Sequence, residues 1–173
     1  MYIMRKTAHF QYYVEGEDEK KLLTELKTNM KLIVPGKIEK FNVVQEAFTK
    51  IRLMQLQNNT TVVLVFDTDV GVPDILCKNI QLLEKCTTVR QVICIPQVNN
   101  LEEELLRSCS IKQIRDLLGS SSNKDFKHDL IMEKNLKSKL LRHNFDIRTF
   151  WSSQPENGFR IIKNQANVIK ETI

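Results

Sequence analysis

The chain has 173 residues, 42% hydrophobic and 27% charged, a composition of folded globular domains that excludes a disordered or fibrous chain. Five Gly and four Pro are too few for long flexible linkers, and a net charge of +5 falls well short of a histone-like polycation. No apolar run reaches bilayer length and none follows the charged start, so the expectation is a cytoplasmic protein with no membrane segment.

The aromatic and β-branched run 10–14 reads as a strand. A helix over 17–30 should follow, with Leu22, Leu23 and Leu26 inward and acidic residues in its first turn. Pro35-Gly36 marks a turn, 41–44 reads as a short second strand, and 45–57 as a helix with Phe48, Ile51 and Leu53 inward. The clearest strand is 61–66. It is apolar at every position from Val62, as in a parallel sheet covered on both faces. Pro73 then opens a helix reaching about residue 86, and 92–96 is another buried strand. Asn99-Asn100 caps a helix carrying Glu102, Glu103 and Glu104 in its first turn. This alternation predicts an α/β domain with a mainly parallel sheet. Further on, helices are expected over 111–118 and 125–143, the second with Met132, Leu136 and Leu140 inward and Lys127 and Lys134 outward. Trp151, with Phe145 and Phe150, should anchor these helices to the core. The division expected is an α/β domain over 1–110 and a basic, mainly helical extension over 111–173 packed on it. Cys77, Cys86, Cys94 and Cys109 include no C-x-x-C pair, so reduced structural thiols are expected rather than zinc or thioredoxin-like chemistry.

Charge divides unevenly along the chain. Residues 1–104 hold 13 basic and 14 acidic side chains, a net of −1, and residues 105–173 hold 13 and 7, a net of +6. The carboxylates cluster where strands end. Glu15 follows the first strand, Asp67 and Asp69 the central one, and Glu102 to Glu104 the last. Ligands of open parallel sheets bind beyond the carboxyl ends of strands. Clustered carboxylates repel, so a compensating cation is expected, and oxygen donors select Mg²⁺ or Mn²⁺. An acidic centre beside a basic flank suits a metal-dependent enzyme acting on a polyanion. Gly16 allows a sharp turn and keeps bulk away from a phosphate.

Val14-Glu15-Gly16-Glu17-Asp18-Glu19 and Val65-Phe66-Asp67-Thr68-Asp69 together resemble the Toprim domain, whose members carry a glutamate after the first strand and a D-x-D after a later one. The likeness covers roughly residues 8–105 and is closest to small stand-alone OLD-nuclease-like proteins. Asn100-Leu-Glu-Glu-Glu104-Leu105 is similar to the N-x-x-x-E-L element of RloB-like Toprim proteins, which occur among phage-defence genes. The resemblance implies a compact sheet of about four parallel strands between helices and a Mg²⁺-dependent phosphoryl-transfer centre. By it, Glu15 is a general acid or base or a metal ligand. Asp67 and Asp69 bind metal, Asp18 or Glu19 supplies the extra acidic ligand, and Glu104 is the third acidic position. Lys127 stabilises a phosphate, with Lys124 and Lys134 as rivals, and His128 lies on the same stretch.

Several activities found with this domain lack their parts here. No G-x-x-x-x-G-K-[ST] occurs, so an ATPase would have to be a separate partner, as would any defence-system protein. There is no zinc motif of a DnaG-type primase and no room for a strand-passing topoisomerase. Nuclease-like hydrolysis of DNA or RNA phosphodiesters remains, with one metal or two and oligomerisation open. Two alternatives stand beside it. One is a catalytically silent Toprim module that binds nucleic acid or a partner. The other is a haloacid-dehalogenase-like phosphatase, since Asp67-Thr-Asp-Val-Gly71 resembles that nucleophile motif, with Asp67 as nucleophile and Asp69 as acid/base.

Overall fold

A computed structural model describes residues 8–171. Four strands form one all-parallel sheet: β1 (His9–Val14), β2 (Lys37–Lys40), β3 (Thr60–Asp67) and β4 (Val89–Gln97), in the order β2-β1-β3-β4. This is the α/β architecture expected from the sequence, with helices on both faces of the sheet. Side chains alternate between faces along each strand. Tyr12, Val14, Val63, Val65, Ile93 and Ile95 face one way, onto α1 (Glu17–Thr28), α4 (Leu101–Ser108) and the helices that follow. Tyr13, Val62, Leu64, Phe66 and Cys94 face the other way, onto α3 (Asp74–Glu84) and the loops around it. Both faces of β3 are therefore covered, which explains its unbroken apolar sequence.

The second strand sits earlier than the sequence predicts. It is β2, with Gln11 to Val14 opposite Lys37 to Lys40, and not 41–44. Gly36 permits this approach, because a Cβ there would stand 2.5 Å from the Phe10 carbonyl oxygen. At Asn42 the chain turns instead of continuing as a strand. The Asn42 side-chain oxygen accepts hydrogen bonds from the backbone N–H groups of Val44 and Gln45. The helix expected over 45–57 shrinks to α2 (Lys50–Met54), capped by Thr49. Fully buried Asn79 of α3 holds the segment before it, accepting from Phe48 N–H and donating to the Val43 and Glu46 carbonyls. Phe48 is buried as predicted, but Ile51 is 72% exposed.

The later helices are shorter than their periodicity suggests. Of 111–118 only α5 (Arg115–Leu118) is helical, closed by Gly119 at φ +75°. The span 125–143 is two helices, α6 (Phe126–Met132) and α7 (Leu136–Arg142). Between them the Glu133 side chain accepts from the Asn135 N–H, a local bond that competes with helix continuation. Met132 consequently faces out, 63% exposed, and Leu130 joins Leu136 and Leu140 in the core. Phe126, Leu130, Leu136, Leu140, Phe150 and Trp151 pack in one cluster with Tyr12, Val14, Leu22, Leu23 and Leu26. The aromatic anchor is as expected, with Phe150 and Trp151 rings 4.4 Å apart and both buried. All four cysteines are free thiols, Cys94 and Cys109 buried. Among the described residues no helix is long and apolar enough to cross a membrane.

Candidate functional site

The chain order along the sheet reverses between β1 and β3. From β1 the chain steps outward to β2, then returns to place β3 on the other side. Such a switch point opens a crevice beyond the carboxyl ends of the two strands. Glu15 is the first residue after β1 and Asp67 the last of β3, so both stand at the carboxyl ends of these two strands. The Asp67 backbone N–H donates to Glu15 Oε1 at 3.3 Å.

Asp67 is held from β4. Gln97 donates from Nε2 to Asp67 Oδ1 at 2.7 Å, and its own Oε1 accepts from the Trp151 indole N–H at 3.1 Å. The indole thus fixes the amide orientation, and the amide fixes one Asp67 oxygen. The residues after Asp67 are also tied down. Thr68 and Asp69 donate their backbone N–H groups to the Asn99 carbonyl, and Asn157 donates its side-chain amide to the Thr68 carbonyl. Asp69 is exposed, and its Oδ2 accepts from Asn100 Nδ2 at 2.9 Å. Asn100 also caps α4 through the Glu103 N–H, so one side chain sets both a helix and a site carboxylate.

The first turn of α1 supplies two more acids. Asp18 is 6% exposed and Glu19 2%. Asp18 Oδ2 and Glu19 Oε2 are buried without a hydrogen-bond partner among the described residues. Gly16 lets these carboxylates fold back over the backbone. A Cβ there would lie 2.5 Å from Asp18 Oδ1 and 2.8 Å from Glu19 Oε2. Its φ of −134° and ψ of 176° are ordinary extended backbone, so close approach and not a sharp turn is what glycine provides.

Burial and crowding raise the proton affinity of these acids. Burial, followed by the neighbouring Asp18 and Asp67 carboxylates, pushes Glu19 up to about 9. Burial and Glu15 push Asp67 up to about 8, against the pull of the Gln97 amide. Burial also raises Glu15, with Asp69 and Asp18 adding to it and the Asp67 N–H and Lys127 opposing. An ionised carboxylate needs a nearby cation or hydrogen-bond donors when it is buried, and here donors are few.

Lys127, on α6, comes to this cluster from the basic end of the chain. Its Nζ is 3.7 Å from Asp18 Oδ2 and 3.5 Å from Glu102 Oε1. Burial lowers its affinity for a proton, but Glu102, Asp18, Glu19 and Asp67 outweigh that and raise it. Lys124, Lys134 and His128 are exposed, and neither rival lysine pairs with these carboxylates among the described residues.

Glu104 is tied into the fold. It is 0% exposed, and both its oxygens are engaged: Oε1 accepts from the Val98 N–H and pairs with Arg107 at 2.8 Å, and Oε2 accepts from the Trp151 N–H at 3.0 Å. It is a structural tie between β4, α4 and the C-terminal segment. The neighbouring Glu102 faces Lys127 instead, its Oε2 buried and unpartnered. Sequence reasoning missed Glu102, Gln97 and Asn157. The run of three glutamates signalled an acid at this place without saying which one turns inward.

Glu15, Asp18, Glu19, Asp67 and Glu102 are thus gathered around one lysine, with Asp69 beside Asp67. The donor set is all oxygen, and three buried oxygens have no donor, which suits a hard divalent cation. Among the described residues no three His, Cys, Asp or Glu side chains stand as a metal-holding group. No protein-family model matches this chain, and neither does any curated protein or solved structure.

Proposed function

We propose that the protein hydrolyses phosphodiester bonds of nucleic acid with the help of Mg²⁺ or Mn²⁺, in the manner of Toprim nucleases. The observation that carries this reading is the pair of buried carboxylate oxygens of Asp18 and Glu19 that accept no hydrogen bond among the described residues, beside Glu15 and Asp67 at the switch point of a parallel sheet. Buried carboxyl oxygens without hydrogen-bond donors are costly to a fold, and such groups cluster at functional sites.

Asp67, Asp69, Glu15, Asp18 and Glu19 are the side chains that would hold the cation. Bound there, it would polarise the phosphate and supply hydroxide near neutral pH. Glu15, with its raised proton affinity, is suited to take or return a proton. Gln97 and Asn100 fix one oxygen each of Asp67 and Asp69 and so set the direction of the others. Lys127 offers an ammonium to a non-bridging phosphate oxygen, and the basic residues beyond residue 105 favour a polyanion over a small phosphate ester.

Labelled single- and double-stranded DNA and RNA should be incubated with the protein in Mg²⁺, Mn²⁺ or EDTA, beside Glu15→Gln and Asp67→Asn. Metal-dependent cutting is expected, reduced about 100-fold or more in each variant. Binding without cutting on every substrate would identify a silent nucleic-acid module. Cutting that survives both substitutions would place the chemistry elsewhere.

A further inference from the structure

Two helix N-termini reach for the same ammonium. Asp18 lies in the first turn of α1 and Glu102 in the first turn of α4, and Lys127 stands between them at 3.7 and 3.5 Å. Both distances exceed an ordinary charge-assisted hydrogen bond. The oxygens around it show the same mismatch: Asp18 Oδ2, Glu19 Oε2 and Glu102 Oε2 are all buried with no hydrogen bond among the described residues. The lysine balances charge here without satisfying the oxygens. Its side chain is about half exposed, on a flexible stem that can swing. A divalent cation would bring twice the charge and bind the oxygens directly.

Building on the metal reading above, we propose that Lys127 holds the place of a divalent cation among Asp18, Glu19 and Glu102, and that entry of the cation releases its ammonium to the phosphate of the substrate. This makes Glu102 a cation ligand and gives the site an order of assembly. Cation binds first, and the lysine becomes available to the polyanion afterwards. Coupling of this kind is reciprocal, so a polyanion that draws Lys127 away also tightens the hold on the cation.

The test is Mn²⁺ binding to metal-stripped protein by titration calorimetry, for wild type, Lys127→Met, Lys127→Gln and Lys127→Arg. Urea unfolding of each identifies any variant that fails to fold, and either neutral variant serves alone. The neutral variants are expected to bind Mn²⁺ about five- to tenfold more tightly than wild type, with Lys127→Arg close to wild type. Addition of Glu102→Gln to Lys127→Met should remove most of that gain. Equal or weaker Mn²⁺ binding by the neutral variants would overturn the displacement and leave the metal reading standing. No Mn²⁺ binding by any of the four would overturn the metal reading, and the displacement with it.

Discussion

Glu19 carries its proton far above the pH at which a free glutamate loses it, and that has a consequence for stability. Burial and the neighbouring Asp18 and Asp67 raise it to about 9, and burial with Glu15 raises Asp67 to about 8. From about pH 4 up to those values the folded chain keeps protons that the unfolded chain has released. Stability therefore falls as pH rises through this window, and the contribution is fully present only below the unfolded values. Glu19→Gln is the neutral form made permanent. In EDTA its melting temperature should exceed wild type by roughly 2–8 °C at pH 8, for a gain on the order of 1–2 kcal/mol, and match it near pH 4. Calorimetric scans at pH 4, 6 and 8 check this. A variant that melts below wild type at pH 8 would mean that Glu19 is ionised and supported in the folded protein.

At the scale of elements, the third acidic position divides structure from chemistry within one helix. Successive glutamates on α4 point about 100° apart. What decides that Glu104 turns inward is the cap at Asn100 together with the Trp151 N–H, 47 residues away in sequence. No local pattern reports such a partner. Glu104→Gln keeps the shape but offers one acceptor where two N–H groups and Arg107 now meet a carboxylate. Urea unfolding should show a loss of about 2–4 kcal/mol, with Mn²⁺ affinity of the folded variant within about twofold of wild type. A tenfold loss of Mn²⁺ affinity with little change in stability would restore Glu104 as a ligand. The same contrast explains which elements were legible. The β3 and β4 runs show through because burial on both faces demands apolar residues at each position. The edge strand β2 reads Lys-Ile-Glu-Lys with only Ile38 buried, so its sequence resembles a loop. The split between α6 and α7 turns on a single Glu133 to Asn135 bond, too local for helical periodicity to register. Glu15, Asp67 and Asp69 were legible because each lies at or just past the carboxyl end of a strand. Gln97 was not, since a glutamine ending a strand looks like any polar terminus until its partner is known.

For the whole molecule, the question is whether the α/β part over residues 1–110 folds without the helical residues that follow it. The acidic centre belongs to residues before 105, but part of its support comes from beyond: Lys127 for Asp18 and Glu102, Trp151 for Gln97 and Glu104, Asn157 for the Thr68 carbonyl. The core has the same dependence. One face of α1, with Leu22, Leu23 and Leu26, is covered by the cluster that includes Phe126, Leu130, Leu136 and Leu140. Complete burial of each such side chain contributes on the order of 2 kcal/mol, and a domain is stable by only about 5–15 kcal/mol in total. A chain ending at residue 110 would uncover α1 and leave Glu104 and Gln97 without their tryptophan, a loss larger than the whole margin. It is expected to lose its near-ultraviolet circular dichroism, bind a hydrophobic dye and unfold in urea without a cooperative transition. Adding residues 111–173 as a separate peptide should not restore Mn²⁺ binding unless the two pieces refold together. A sharp urea transition for residues 1–110 alone would show instead that the sheet and α1 are self-sufficient. The helical region would then be a separable arm that brings Lys127 to a site already built.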